Sequence, residues 1–134
     1  MTSVVSYLGN LRTESVHISS NEKIVTDAPT DNNGKGEAFS PTDLVASSLS
    51  SCVLTVIGIV SKQIKYDLTN TTSSVKKIMG DNPRRIVEIE VKIEFSQSTD
   101  SKKRAIIEKT ALNCPVAKSL HPDIKQNISF IWPD

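Results

Sequence analysis

Cys52 and Cys114 are the two cysteines of this 134-residue chain, and His17 and His121 are its two histidines. A thiolate can serve as a nucleophile, as half of a redox couple or as a soft metal ligand, and spacing decides which uses are open. Metal binding finds no support: there is neither a CxxC nor an HxxxH pair, and His121 stands before Pro122 in a turn context. No GxGxxG, P-loop or GxSxG pattern occurs, and Gly34-Lys35-Gly36 is too short to cradle a phosphate by itself. Two cysteines do not make a disulfide scaffold; in an intracellular chain they point to buried thiols or to redox chemistry. No metal and no cofactor are expected.

The two thiols have different local settings. Cys52 lies within SPTDLVASSLSSCVLTVIGIVS, residues 40–61, which carries no charge after Asp43. On a helix, Val45, Leu49, Val56 and Ile59 share its stripe. A thiol on an apolar stripe reads locally as a core residue, and both burial and a mid-helix position work against the thiolate. If Cys52 reacts, a cation has to come from elsewhere in the fold. Cys114 precedes Pro115, which keeps it out of the α region and makes Pro115 a natural first helical residue. That places Cys114 at or beside an N-cap, where free N–H groups and the helix dipole favour a thiolate. The plainer reading, a simple helix break, stands beside it.

The elements that must position these thiols follow from periodicity and punctuation. Ser3–Leu8 and Leu11–Ser19 read as strands about a Gly9-Asn10 turn, and Lys23–Asp27 as a third strand after a turn at Asn21-Glu22. Residues 28–40, about a dozen, form a polar Gly- and Pro-containing loop long enough to be functional or mobile. Ser40 fits an N-cap, Pro41 the first helical position and Asp43 the acidic partner of a capping box, so a helix should run to about Lys65, roughly 35 Å. A polar strand over Tyr66–Met79 and a turn at Gly80–Pro83 precede Arg84–Ser96, where Val87, Ile89, Val91, Ile93 and Phe95 alternate with polar residues. A helix over Asp100–Asn113, a short helix over Val116–Leu120 and a strand over Gln126–Trp132 complete the chain. The order βββ-α-ββ-αα-β predicts a single α+β domain, residues 1–134, with mostly antiparallel pairing.

Bulk properties narrow the function classes. The net charge of +1 and the absence of like-charge blocks give no footprint for nucleic acid or a charged membrane surface. The uncharged run Leu44–Ser61 approaches a membrane span in length, but its serines favour a buried helix of a soluble protein. Residues 1–20 lack the apolar core of a signal peptide. A hydrophobic fraction of 37% is low for a self-sufficient core, and a partner chain is expected to help complete it.

GKGEAFSPTDLVASSLSSC followed about sixty residues on by NCPVAKSLHPDI resembles the osmotically inducible protein C (OsmC) and organic hydroperoxide resistance family. The resemblance is carried by the GxG loop, Ser-Pro-x-acid at the helix start, small residues before the first cysteine and the later Cys-Pro-Val. It implies the OsmC-like fold, an intertwined homodimer in which antiparallel sheets wrap around two long central helices. It also implies a cytoplasmic thiol peroxidase of oxidative-stress defence that reduces organic hydroperoxides to alcohols. By position, Cys52 would be the peroxidatic cysteine and Cys114 the resolving one. Arg12 falls where the family places a thiolate-stabilising arginine. The cycle would pass through a Cys52 sulfenate and a Cys52–Cys114 disulfide, opened by an external dithiol. The implied partners are a second copy of the chain, the hydroperoxide and the dithiol.

One position departs from the pattern. The best-known peroxidase branches carry a glutamate directly after the proline, where it orients the arginine; here that residue is Thr42, and the acid follows at Asp43. Thr42 lies about 80° from Cys52 around the helix and Asp43 about 180°. Asp43 is therefore better explained as a cap, and both are supporting candidates at most. The departure keeps a second reading open, a non-catalytic module of the same fold that responds to redox state or binds a small apolar ligand.

Overall fold

The computed structural model describes residues 1–134. Strands β1 (Ser3–Gly9), β2 (Arg12–His17) and β3 (Lys23–Asp27) precede the long helix α1 (Pro41–Gln63). Strands β4 (Thr72–Gly80) and β5 (Arg85–Glu94), helices α2 (Ser101–Ala111) and α3 (Pro115–Ser119), and strand β6 (Lys125–Ile131) follow. This is the predicted α+β order, folded as two compact units, Met1–Val45 and Ala46–Asp134.

The first unit is an antiparallel sheet ordered β1-β2-β3. Gly9, Asn10 and Leu11 all have positive φ, which lets β1 turn directly into β2. Segment 28–40 is not a free loop. It contains a 3-10 turn over Thr30–Asn32, and the Gly34 and Gly36 amides donate to the carbonyls of Pro29 and Ala28. A Cβ on Gly34 would lie 1.7 Å from the Ala28 carbonyl oxygen, so Gly34 is required by close backbone approach rather than by an anion. The three buried residues of this unit, Thr26, Asp27 and Ser40, are all polar.

The second unit holds the apolar core. The alternation on β5 buries Ile89, Val91 and Ile93, with Phe95 just beyond, and these cluster with Leu49, Val53 and Ile57 of α1 and Ile107 and Ala111 of α2. Its sheet runs β4-β5-β6: β4 pairs antiparallel with β5, but β6 pairs parallel with it because the chain returns through α2 and α3. Tyr66, expected to begin a strand, is instead buried before β4, edge-on to Phe95 and Trp132, and its hydroxyl donates to the Gln97 carbonyl at 2.7 Å. A phenol with an apolar body and a hydrogen-bonded tip does better in this cluster than on a polar strand, so β4 starts only at Thr72.

Candidate active site

Helix α1 begins as the sequence predicts. The Asp43 amide donates to Ser40 Oγ at 3.1 Å, and the Ser40 amide donates to Asp43 Oδ2 at 3.0 Å. This is a reciprocal capping box with aspartate in place of glutamate. Thr42 Oγ1 lies 3.2 Å from Ser40 Oγ, within the same capping cluster.

Farther along, the buried stripe of α1 is Ala46, Leu49, Ser50, Val53, Ile57 and Ser61. That corrects the stripe assigned to Cys52. Val45 and Ile59 are exposed, so Cys52 sits at the margin of the core, half-buried and packed against it. The reason is rotational: Leu49, Val53 and Ile57 point at β5, and Cys52 lies one position round from Val53, about 100° away.

Cys114 is the N-cap of α3, with extended backbone (φ −76°, ψ 149°) and Pro115 next. Its Sγ accepts from the Ala117 amide at 3.3 Å. The predicted N-cap is present, but its expected effect on the thiol is reversed. Cys114 is fully buried, and burial is the largest influence on it, pushing the thiol above its ordinary value. The Ala117 and Val116 amides pull the other way and do not win, since a helix of five residues has little dipole to offer. The neighbouring Cys52 thiol raises Cys114 further, since a second negative charge beside it would be repelled. Both thiols are free. Fold and sequence thus bring together two sulfurs 62 positions apart, one half-exposed and one buried with its proton held.

Arg12 belongs to the first unit, at the start of β2. Its Nε and Nη2 donate to the two Asp27 carboxylate oxygens at 2.7 and 2.8 Å, a bidentate fork across the β2–β3 pair. Asp27 is 1% exposed and also accepts the Glu37 amide at 3.1 Å. The Glu37 carboxylate lies 3.7 Å from Arg12 Nη2. Hydrogen bonding from Arg12 is the main reason the Asp27 carboxyl stands below its ordinary value; burial opposes it, and the Arg12 charge and the Glu37 amide add to the lowering. Asp27 and Glu37 were not among the sequence candidates. The two histidines join neither group: His17 Nδ1 is bonded to Ser20 Oγ at 2.6 Å in an exposed turn, and His121 sits exposed beside Asp123.

The Arg12–Asp27 pair has a defined pH signature. Asp27 is held below its unfolded-state value, so its ionised form favours folding. That contribution is complete above about pH 5 and is lost as pH falls through the folded-state value, below the ordinary aspartate value of about 3.9. Thermal melts of wild type and Asp27→Asn should show a lower melting temperature for the variant from pH 5 to 8. The gap should close as the pH is taken below the carboxylate range. A gap that persists unchanged at low pH would mean that the charge of Asp27 is not what stabilises the fold.

An α+β fold of two three-stranded sheets, with a paired buried and half-buried thiol, defines a class of two-cysteine proteins. Within that class the chain belongs to the OsmC-like protein family, whose model matches residues 34–129. The crystal structure of a candidate osmotic stress induced and detoxification response protein from Psychrobacter arcticus 273-4 is 53% identical, with a TM-score of 0.94 over 97% of this chain and 95% of that one. More distant likenesses show the fold alone. An organic hydroperoxide resistance protein OsmC from Legionella pneumophila is 16% identical with a TM-score of 0.76, over 98% of this chain and 97% of that one. An organic hydroperoxide resistance protein from Elizabethkingia anophelis is 17% identical with a TM-score of 0.76, over 99% and 97%. No curated protein matches the sequence.

Proposed function

We propose that this protein is a two-cysteine thiol peroxidase that reduces organic hydroperoxides to alcohols. The observation that carries the reading is that Cys52 packs against the buried cluster containing Cys114, the two thiols having unequal exposure. A pair in which one thiol is buried and holds its proton, while the other reaches the core margin, divides naturally into resolving and attacking roles. Arg12 is assigned as the cation that favours the Cys52 thiolate.

The chemistry follows from these roles. The Cys52 thiolate attacks the distal peroxide oxygen, the O–O bond breaks, and the alkoxide leaves and takes up a proton to become the alcohol. Cys52 is left as a sulfenic acid. The Cys114 sulfur then attacks the Cys52 sulfur, forming the disulfide as hydroxide departs and combines with the Cys114 proton to give water. An external dithiol restores both thiols by exchange and is itself oxidised to a disulfide. Apolar side chains packed around the Cys52 margin favour an organic hydroperoxide over hydrogen peroxide and limit water at the sulfenate. A reducing compartment such as the cytoplasm suits two thiols that must be reset. Stopped-flow consumption of cumene hydroperoxide with a dithiol tests the reading. Consumption no faster than that of a free thiol would leave the binding-module reading in its place.

A homodimer is part of the same proposal. The first unit buries no apolar side chain, yet Val4, Val5, Tyr7, Leu8 and Ile24 of its sheet are exposed. A three-stranded sheet needs a hydrophobic face covered to be stable. A second copy of the chain would supply that cover, and sedimentation equilibrium should give twice the 14.7 kDa chain mass. Val5→Glu with Tyr7→Glu should shift the mass toward the monomer; a monomeric wild type would end this part of the proposal.

A further inference from the structure

Positive charge is gathered around the second cysteine. Residues 101–119, which run through α2 and α3 and contain Cys114, hold five of the chain's sixteen basic residues and one of its fifteen acidic ones, so the rest of the chain is net negative. Lys102, Ala105, Lys109 and Leu112 share one arc of α2 about 80° wide, and all four are exposed. The arc is about 15 Å long and ends at Leu112, which is 56% exposed and stands two positions before Cys114. Asn113 and Pro115 are exposed as well, so the buried Cys114 is carried by a segment open to solvent on both sides of it. The opposite face of α2 enters the core through Ile107 and Ala111.

A solvated helix ordinarily interleaves the two signs of charge, with acids and bases three or four positions apart. Helix α2 does not. Its one acid, Glu108, accepts the Trp132 indole N–H at 2.9 Å, and Arg104 lies over the same ring, 5.1 Å from its centroid. Both are committed to Trp132, and the exposed arc is left with lysines alone. Lys102 and Lys103 also occupy the first turn, which holds no acid and where the helix dipole disfavours positive charge. The dipole accounts for Lys109 in the last turn but not for these two. An apolar side chain beside charges of one sign is instead the pattern of a surface that meets a partner of the opposite charge. The cycle proposed above requires a partner, because the Cys52–Cys114 disulfide has to be opened by an external dithiol. We infer that the α2 arc of Lys102, Lys109 and Leu112 docks an acidic protein that carries that dithiol. The inference rests on the two-cysteine cycle. One partner thiolate attacks the sulfur of Cys52, the more exposed of the two cysteines, and Cys114 leaves and takes up a proton. The second partner thiolate then attacks the partner's own sulfur in the mixed disulfide. Cys52 departs as a thiolate, and the partner is released as a disulfide.

The test forms the disulfide with diamide and so needs no hydroperoxide. Its reduction is followed by mass spectrometry with dithiothreitol and with Cys-Gly-Pro-Cys peptides bearing either a glutamate or a lysine tail. Each rate is divided by the same dithiol's rate on hydroxyethyl disulfide, which removes differences in thiol reactivity. The glutamate-tailed peptide is expected to react about tenfold faster than the lysine-tailed one at about 0.02 M salt, with the advantage gone by about 0.3 M. The chain as a whole is close to neutral, so such a preference reports a local face. Lys102→Glu/Lys109→Glu should remove the preference and leave dithiothreitol reduction unchanged. It should also keep the melting temperature, since a first-turn glutamate suits α2. Leu112→Ser should slow the glutamate-tailed peptide while its salt dependence remains. Equal rates for the two peptides on wild type, or a preference that survives the charge reversal, would overturn the inference. So would a shift of Lys102→Glu/Lys109→Glu from dimer to monomer in sedimentation, which would make the arc a contact between copies. The expected preferences in a protein that consumes no hydroperoxide would sink the peroxidase reading and leave the docking arc in place. Hydroperoxide turnover with no preference between the peptides would do the reverse, and failure of diamide to form the disulfide would remove both.

Discussion

Cys52→Ser is expected to slow organic hydroperoxide consumption by about 10³-fold or more, with the fold unchanged. A serine hydroxyl is almost wholly protonated at neutral pH and is a poor nucleophile toward the O–O bond, so the first step of the cycle has no substitute. The position tolerates the change because Cys52 sits at the core margin, where a hydroxyl keeps access to water. Circular dichroism and the melting temperature should therefore match wild type to within the small cost of losing one half-buried sulfur, while stopped-flow traces with cumene hydroperoxide go flat. Equal peroxide consumption by wild type and variant would place the reaction elsewhere or show that there is none. The remaining side chains then matter little, since residues acting as a unit lose nearly all activity together.

The elements were legible because their signals are local. The Ser40-Pro41-Asp43 cap, the alternation on β5 and the Cys114-Pro115 break each act through bonds within a few residues, and each forms as read. The thiol environments were not, because they are tertiary. Periodicity around Cys52 identified an apolar helix but not which arc of it would meet β5. The N-cap at Cys114 was visible, whereas the burial that outweighs it depends on packing among α1, α2 and β5 that no local pattern specifies. Tyr66 shows the same limit from the other side. Strand propensity suited it, and an aromatic cluster with Phe95 and Trp132 took it instead.

Asp27 was missed for a definable reason. A turn centred on Asn21-Glu22 sets β2 against β3 in the wrong register. The chain in fact closes with the His17 amide donating to the Glu22 carbonyl, leaving four residues in the turn, with Asn21 at positive φ. Counting outward from that closure pairs Val16 with Lys23 and Arg12 with Asp27. The turn centred on Asn21-Glu22 would instead set Asp27 opposite Val16, four residues along β2 from Arg12. The opposite charges at the far ends of two adjacent strands were the available signal, readable only once the turn is correct. Thr42 is explained by its place in the Ser40 cluster.

Cys114→Ser should separate the two halves of the proposed cycle, turning a catalyst into a reagent. Serine is among the best N-cap residues, and its oxygen can accept the Ala117 amide that the sulfur now accepts, so α3 should keep its start. The buried hydroxyl is then hydrogen-bonded, which keeps its cost small. Such a variant should react with about one equivalent of hydroperoxide per chain at close to the wild-type initial rate, because the attacking thiol is untouched. It should then stop. With no buried sulfur against it, the Cys52 sulfenic acid has no internal partner and should be trapped by dimedone. Excess peroxide should drive it to the sulfinic acid, which a dithiol cannot reverse. Wild type should instead yield the Cys52–Cys114 disulfide and little dimedone adduct, both resolved by mass spectrometry. The order of events follows from the environments: the proton held on buried Cys114 keeps it from competing for peroxide, and its place in the cluster against which Cys52 packs leaves it beside the sulfenate. If the variant turns over many equivalents like wild type, an external thiol must reduce the sulfenate directly. Cys114 would then be a buried capping residue that contributes to the fold and not to the cycle.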